Sequence, residues 1–314
     1  MTFLTVTFFG CISESAIAPT VGKRRNATMP KDLRPNKPEF DIDFVFLYNE
    51  NMKNVAIVTG ASSGLGKEFT NQIEQKFDYD EIWIFARRES LLLEVENQIN
   101  EKAGKKIVKS FAVDICGKDG VKRFSDILES EKDFSVGLFV NNAGFGTYGP
   151  FEDTPLEKEL DMIEINCVTL TGLCGVVLKY LTSNSVIINT ASLAAFMPLG
   201  NFAVYGASKA YALSFSVALA AELKDKGVKV CALCPGSVST EFANVASNGA
   251  RKEVKGGIEP DKVVAHCLKR AFKGKKIAMY RFKWKFTALL GRFVGRYLVA
   301  RYTYKYNKRP YKYN

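Results

Sequence analysis

From Asn54 onward the chain keeps one rhythm: a short apolar run rich in β-branched and aromatic residues, then a longer segment with helical periodicity. The runs are NVAIVT, EIWIFA, KIVKSFAVD, VGLFVN, SVIINTA, KVCALC and KIAMY, and helical segments begin near Gly64, Arg88, Gly117, Pro155, Ala203 and Pro260. A strand with one wet face alternates apolar and polar residues; these runs do not, so both of their faces are buried. Buried strands spaced by helices predict a parallel sheet covered on both sides. The expectation is a single α/β, doubly wound domain of about 230 residues with about seven strands and no internal repeat.

Composition narrows the classes. At 314 residues and 47% hydrophobic content the chain can bury a substantial core. No run of about 18 apolar residues occurs, so a membrane-spanning helix is not expected. The seven cysteines, Cys11, Cys116, Cys167, Cys174, Cys231, Cys234 and Cys267, are odd in number and lie mostly in apolar segments. That fits reduced core thiols and a cytoplasmic setting rather than a disulfide framework. Cys231 and Cys234 form a C-x-x-C, but within a strand-like run and with no second pair or histidine cluster, so no metal site is expected. The sole histidine, His266, reads as a packing or solvated residue of a helix.

The net charge of +11 is unevenly placed: from Lys262 to Asn314 there are 16 Lys and Arg and no acid, against 28 basic and 33 acidic residues before it. The basicity belongs to the C-terminal end rather than to the fold, and nucleic acid is not an expected partner.

TGASSGLGKEF follows the first strand and opens a helix. Gly60, Gly64 and Gly66 let the backbone turn sharply and approach a pyrophosphate, which the free N–H groups of the helix N-terminus favour.

With NNAG at residues 141–144, YGASK, a serine 13 residues before Tyr205, and PGSVST after the sixth strand, the chain resembles the short-chain dehydrogenase/reductase family from about Met52 to Tyr280. The resemblance implies a Rossmann-type domain over residues 52–280 and four catalytic residues, Asn166, Ser192, Tyr205 and Lys209. It implies cofactor contacts from Gly60, Ser62, Ser63, Gly64, Leu65, Gly66, Arg87, Asp114, Ile115, Asn142, Ala143, Gly144, Tyr205, Lys209, Pro235, Gly236, Val238 and Thr240. In the family Asp114 meets the adenine, Lys209 the nicotinamide ribose, and Asn166 supports a proton-relay water. A helical asparagine also serves structurally by bonding a freed backbone group.

The chemistry can be argued beside the resemblance. A carbonyl accepting hydride gathers negative charge on oxygen and needs a proton donor and aimed dipoles. Lys209 is four residues beyond Tyr205 on one helical face, so its ammonium is expected to lower the phenol pKa toward working pH. Ser192 lies at the carboxyl edge of the sheet, where its hydroxyl can hold the substrate oxygen. In IFARRES the second strand ends on Ala86 rather than an acid, followed by Arg87, which can bind a 2′-phosphate. NADP(H) is therefore favoured with NAD(H) as the alternative, although Ser63 stands where many NADP enzymes carry a second base.

The loops FGTYGPF, LAAFMPLGNF and EFANVA carry no Lys or Arg, which suits a small apolar carbonyl or alcohol substrate such as a steroid or fatty-acyl ketone. Phe145, Phe196, Met197 and Phe242 are candidate lining residues. Residues 281–314 form a basic amphipathic extension in which Phe286, Leu289, Leu290, Phe293, Val294, Tyr297 and Leu298 share one helical stripe. Similar extensions occur in relatives resembling 3-oxoacyl and 17-beta-hydroxysteroid reductases. Packing against the fold or within a homo-oligomer, a dimer or tetramer by family analogy, is the first expectation, and peripheral membrane contact the second. Residues 1–51, rich in Pro, Lys, Arg and Asn after an apolar start, read as a disordered or mis-assigned leader; a chain begun at Met52 is expected to keep full activity. The alternative function is a non-catalytic dinucleotide-binding regulator or a membrane-surface adaptor, and the joint presence of all four catalytic residues argues against it.

Overall fold

The computed structural model describes residues 52–252, 254 and 256–313; the leader expected over residues 1–51 lies outside them. Seven strands form one parallel sheet in the order β3-β2-β1-β4-β5-β6-β7: β1 Lys53–Thr59, β2 Glu81–Ala86, β3 Val108–Ala112, β4 Phe134–Asn141, β5 Leu181–Thr190, β6 Lys229–Leu233 and β7 Ile277–Ala278. This is the doubly wound α/β architecture expected of the alternating pattern, with the switch in winding direction between β1 and β4.

The continuous apolar runs are explained by the two cores. Ala56, Val58, Ile82 and Ile84 point to one face, under helices α1 Gly64–Lys76, α2 Glu89–Ala103 and α8 Pro260–Phe272. Their neighbours Val55, Ile57, Trp83 and Phe85 point to the other, under α3 Gly117–Ser130, α5 Leu170–Val177 and α6 Ala203–Glu222. With a side-chain period of two, only an unbroken apolar run can fill both.

Two elements differ from expectation. α4 Leu156–Ile163, a π-helical turn Glu164–Thr169 and α5 make the continuous helix Leu156–Tyr180, long and apolar enough by composition to cross a membrane. No single apolar run reveals this, because polar residues interrupt it. Met162, Ile165, Leu170, Leu173 and Val177 are buried in the fold, which makes it a core helix. The C-terminal stripe, second, is not one helix but two, α9 Phe282–Leu290 and α10 Arg296–Tyr306, joined through Gly291 and Gly295. Its seven apolar side chains remain exposed, so the expected packing on the chain itself is not what the stripe does. Trp284, Ala288 and Thr303 make the buried contacts instead. The short α7 Phe242–Ala246 completes the helices. The described cysteines are all free, and no cluster able to hold a metal ion occurs among the described residues.

Candidate active site

The glycine turn is shaped by contact. A Cβ on Gly66 would stand 2.1 Å from the Gly60 carbonyl oxygen, so the first turn of α1 lies directly on the end of β1. Gly60 is left-handed at φ 67° and faces Ala143 at a distance a Cβ would fill. α1 begins at Ser63 with no side-chain cap and no acid in its first turn, leaving its N–H groups for an anion. Thr59 ties this turn to NNAG, its hydroxyl accepting from the Asn142 and Ala143 N–H groups at 2.9 and 3.0 Å. Thr240 packs against Gly64, Val238 is buried, and Pro235 offers its carbonyl to Leu193 N at 2.8 Å. Asp114 is exposed and Ile115 buried at the end of β3, on the same edge of the sheet. The outer side of the turn carries Glu68, Glu94, Glu241, Glu259 and Asp261 and repels a pyrophosphate; the inner side, against residues 142–144, has glycine and amide surface.

The two arginines after β2 divide. Arg88 Nη2 donates to Ser63 Oγ at 2.8 Å, Ser62 Oγ at 3.2 Å and Glu241 Oε2 at 3.1 Å. Arg87 is exposed and makes no hydrogen bond or ion pair among the described residues. Arg88 is thus the guanidinium seated on the glycine turn, a role the sequence signalled only by the doubled arginine.

The four candidate catalytic residues converge. Tyr205 and Lys209 are both buried on α6, with the Lys209 ammonium 5.9 Å from the Tyr205 ring centre and donating to the Thr190 carbonyl at 2.9 Å. Ser192 opens the 3-10 turn Leu193–Phe196; its hydroxyl accepts from Ala194 N at 3.1 Å, donates to the Pro235 carbonyl at 3.5 Å and is near enough to Tyr205 to draw its pKa down. Asn166 sits in the π-helical turn, a distortion frequent at functional positions. Its Nδ2 donates to the Phe145 carbonyl at 2.9 Å and Ser208 Oγ at 3.0 Å, while its Oδ1 is buried without a partner. A Cβ on Gly144 would lie 2.4 Å from that Oδ1 and 3.5 Å from Lys209 Nζ, so only glycine leaves room there.

The electrostatics depart from expectation. Burial pushes the Tyr205 phenol up to about 12, with the Ser192 hydroxyl pulling against it. Burial also pulls Lys209 down to about 8, with no carboxylate beside it. Desolvation of both groups outweighs their mutual attraction, so the expected lowering of Tyr205 by Lys209 is not seen.

Around Tyr205 stands an aromatic box: Phe202 at 4.7 Å and Phe242 at 5.4 Å between ring centres, with Tyr148 4.9 Å beyond Phe202. Of the lining residues expected, Phe242 and Phe145 pack in this cluster. Phe196 joins core residues Leu170 and Ala212, and Met197 lies against Gly291. Tyr148 and Phe202 lie in the quoted loops FGTYGPF and LAAFMPLGNF but were not singled out, because nothing local tells which aromatic residue of a loop turns toward Tyr205. A third missed residue, Arg309, lies over Tyr148 and Phe202 at 4.9 and 4.6 Å; no local signal links it to residues 100 or more positions earlier.

Comparison with known proteins bears on the family and the fold. The short chain dehydrogenase family model matches residues 54–250. An uncharacterized oxidoreductase of Staphylococcus epidermidis is 32% identical over 68% of this chain and 90% of its own. A very-long-chain 3-oxoacyl-CoA reductase of Pyrenophora tritici-repentis is 31% identical over 62% of this chain, which spans 58% of that relative. Among solved structures, a short-chain dehydrogenase from Sphingobium yanoikuyae in complex with NADPH aligns with TM-score 0.66 at 23% identity, covering 76% of this chain and 93% of its own. One from Burkholderia phymatum in complex with NAD aligns with TM-score 0.68 at 19% identity, covering 84% and 98%. With the family model over most of the sheet and the serine, tyrosine, lysine and asparagine gathered at its carboxyl edge, the chain belongs to the short-chain dehydrogenase family.

Proposed function

We propose that this protein is an NAD(P)(H)-dependent oxidoreductase that interconverts a carbonyl and a secondary alcohol on a substrate with an apolar body. The observation that carries the reading is the convergence of Ser192, Tyr205, Lys209 and the unpartnered Asn166 Oδ1 beside the glycine turn. The glycine turn and the uncapped start of α1 fit a dinucleotide pyrophosphate, and residues 142–144, with 235–240, would wall the nicotinamide end. The bound cofactor supplies or removes the hydride.

Tyr205 holds the proton that the carbonyl oxygen takes up in reduction. A phenol raised to about 12 stays protonated at neutral pH and is still a stronger acid than the alcohol product, so proton transfer to the developing alkoxide runs downhill. Ser192 Oγ, beside the phenol, binds the same substrate oxygen and aims a dipole at its growing charge. Lys209, charged at neutral pH, holds positive potential behind Tyr205 and is placed to bond the ribose. Asn166 Oδ1, unpartnered and facing the space that Gly144 leaves beside Lys209 Nζ, would accept from a water that returns protons to Lys209.

For the cofactor we favour NADP(H). Arg87 and Arg88 flank the end of β2, where Ala86 presents no carboxylate to repel a 2′-phosphate. Oxidation of NADPH and NADH against a panel of steroid, acyl and sugar ketones, with Tyr205→Phe as control, tests both readings. The wild type is expected to prefer NADPH by about tenfold or more in kcat/KM, and Tyr205→Phe to lose about a hundredfold to ten-thousandfold in kcat. Equal use of the two cofactors refutes the preference, and an unimpaired Tyr205→Phe refutes the mechanism.

Two exposed faces bear on partners. Leu160 and Ile163 on α4, with Tyr211 and Val217 on α6, are apolar and exposed, and we assign this face to a homo-oligomer contact. The aromatic, basic face of α9 and α10 we assign to an anionic membrane surface, with the reduced thiols matching a cytoplasmic side. A symmetric dimer through that face would oppose like charges, because no acid occurs after Asp261.

A further inference from the structure

The segments FGTYGPF, LAAFMPLGNF and EFANVA carry no Lys or Arg, yet a cation lies on the aromatic box. The segment after α10 returns to the aromatic cluster around Tyr205 and is fastened to residues on two sides of it. On one side the Tyr311 hydroxyl donates to Asp153 Oδ2 at 2.6 Å and its ring lies against Gly149. On the other, Lys312 N donates to the Ser247 carbonyl at 3.1 Å, Asn248 Nδ2 to the Lys312 carbonyl at 2.6 Å, and the Tyr313 hydroxyl to the Ala246 carbonyl at 2.8 Å. Arg309 lies just before these anchors, half-buried, its guanidinium over the Tyr148 and Phe202 rings. Phe202 is in turn packed on Tyr205, which puts the cation within two ring spacings of the proton donor.

Arg309 is unspent. Among the described residues it forms no ion pair and donates no hydrogen bond, although a guanidinium has five N–H donors. Stacking on two aromatic faces fixes its plane and leaves its edge, which carries those donors, available. Tail anchoring does not require the charge, since Tyr311, Lys312 and Tyr313 already supply four hydrogen bonds to these two sides. A partly desolvated, unpaired cation beside an aromatic box is a receptor for an anion that arrives with an apolar body.

We propose that Arg309 is a substrate-binding residue that receives an anionic group, a carboxylate or a phosphate, on the ketone substrate, so that the enzyme acts on amphiphilic ketones bearing an acidic end. The inference rests on the reading of Tyr205 as proton donor to the substrate carbonyl, which places the acidic group a short chain away from the reacting carbon.

The test uses the full chain with NADPH and ketones identical except for a terminal carboxylate, phosphate or methyl ester. It is paired with equilibrium binding of a non-reducible fatty acid and its matching alcohol, a readout that needs no turnover. For Arg309→Gln, kcat/KM for the acidic ketones and affinity for the fatty acid are each expected to fall about tenfold to a hundredfold, with the ester and alcohol unchanged. Arg309→Lys is expected to recover part of the loss, and the carboxylate and phosphate arms identify which anion is preferred. Equal losses for acid and ester, or no loss for either, overturn the proposal. Selective loss of fatty-acid binding in a protein that reduces no ketone upholds the receptor and overturns the oxidoreductase reading instead.

Discussion

Lys209 sits where its own charge is expensive. It is buried on α6 with the Thr190 carbonyl as its hydrogen-bond acceptor, and burial holds its pKa at about 8 against an ordinary 10.5. At pH 7 the residue is protonated both folded and unfolded, so the whole penalty, about 3 kcal/mol, falls on the folded state. As pH rises through about 8 the folded protein releases this proton while the unfolded chain still binds it. The penalty therefore fades between pH 8 and 10.5, and stability gains over that window. Lys209→Met removes the charge and keeps most of the volume; losing the bond to Thr190 returns about 1 kcal/mol. The variant is expected to lose turnover yet melt a few degrees higher at pH 7, by about 2–4 °C. Its advantage should shrink when the melts are repeated near pH 10. A variant that melts lower at pH 7 would show that the lysine charge contributes to stability instead of costing it. The same reasoning accounts for Tyr205: the spacing of tyrosine and lysine is legible in the sequence, but the sign of their shifts is set by burial, and the rings packed on Tyr205, Phe202 and Phe242, are set there by the fold.

At the scale of elements, the strands and the glycine turn were legible because local requirement and global packing coincide. Each buried strand has to be apolar throughout to serve both cores, and Gly66 has to lack a Cβ to let α1 rest on Gly60. Gly66→Ala would bring a methyl to 2.1 Å from a backbone oxygen that cannot rotate away, so α1 must shift off β1. The variant is expected to lose several kcal/mol of stability and all dinucleotide binding, whereas Gly104→Ala, with open space around it and φ 66°, costs about 1 kcal/mol. Thermal melts and cofactor titration of the two variants check this, and similar melts would refute the close-packing account. The π-helical turn at Asn166 was not legible, because one extra residue in a helix leaves the apolar period almost unchanged. The break between α9 and α10 is marked only by Gly291 and Gly295, which a helix tolerates at a cost of about 1 kcal/mol each; the stripe read through them as if they were ordinary helix residues.

For the whole molecule, the C-terminal helices set an asymmetry that composition announced and structure located. Phe282, Phe293 and Tyr297 are each more than three-quarters exposed, beside Phe286, Leu290, Leu298 and Tyr302. Lys283, Lys285, Arg292, Arg296, Arg301 and Lys305 are interleaved with them. Trp284 meanwhile packs on Gly236, tying this face to the loop after β6 beside the catalytic edge. Exposed aromatic surface of this kind is costly in water and favourable at a lipid interface, where the basic side chains add attraction to anionic headgroups. The full chain is expected to co-sediment with vesicles containing phosphatidylserine and less with phosphatidylcholine alone, and to be partly released by high salt as the electrostatic share is screened. Replacing Phe282, Phe293 and Tyr297 together by Glu removes the apolar contact and reverses local charge, and should cut vesicle binding at least about tenfold. Because Trp284 and Arg309 are untouched, turnover of a water-soluble ketone should stay near the wild-type value. If the wild type ignores anionic vesicles at low salt, the lipid assignment is wrong; sedimentation velocity of wild type and triple variant would then show whether a second copy of the chain covers the face instead.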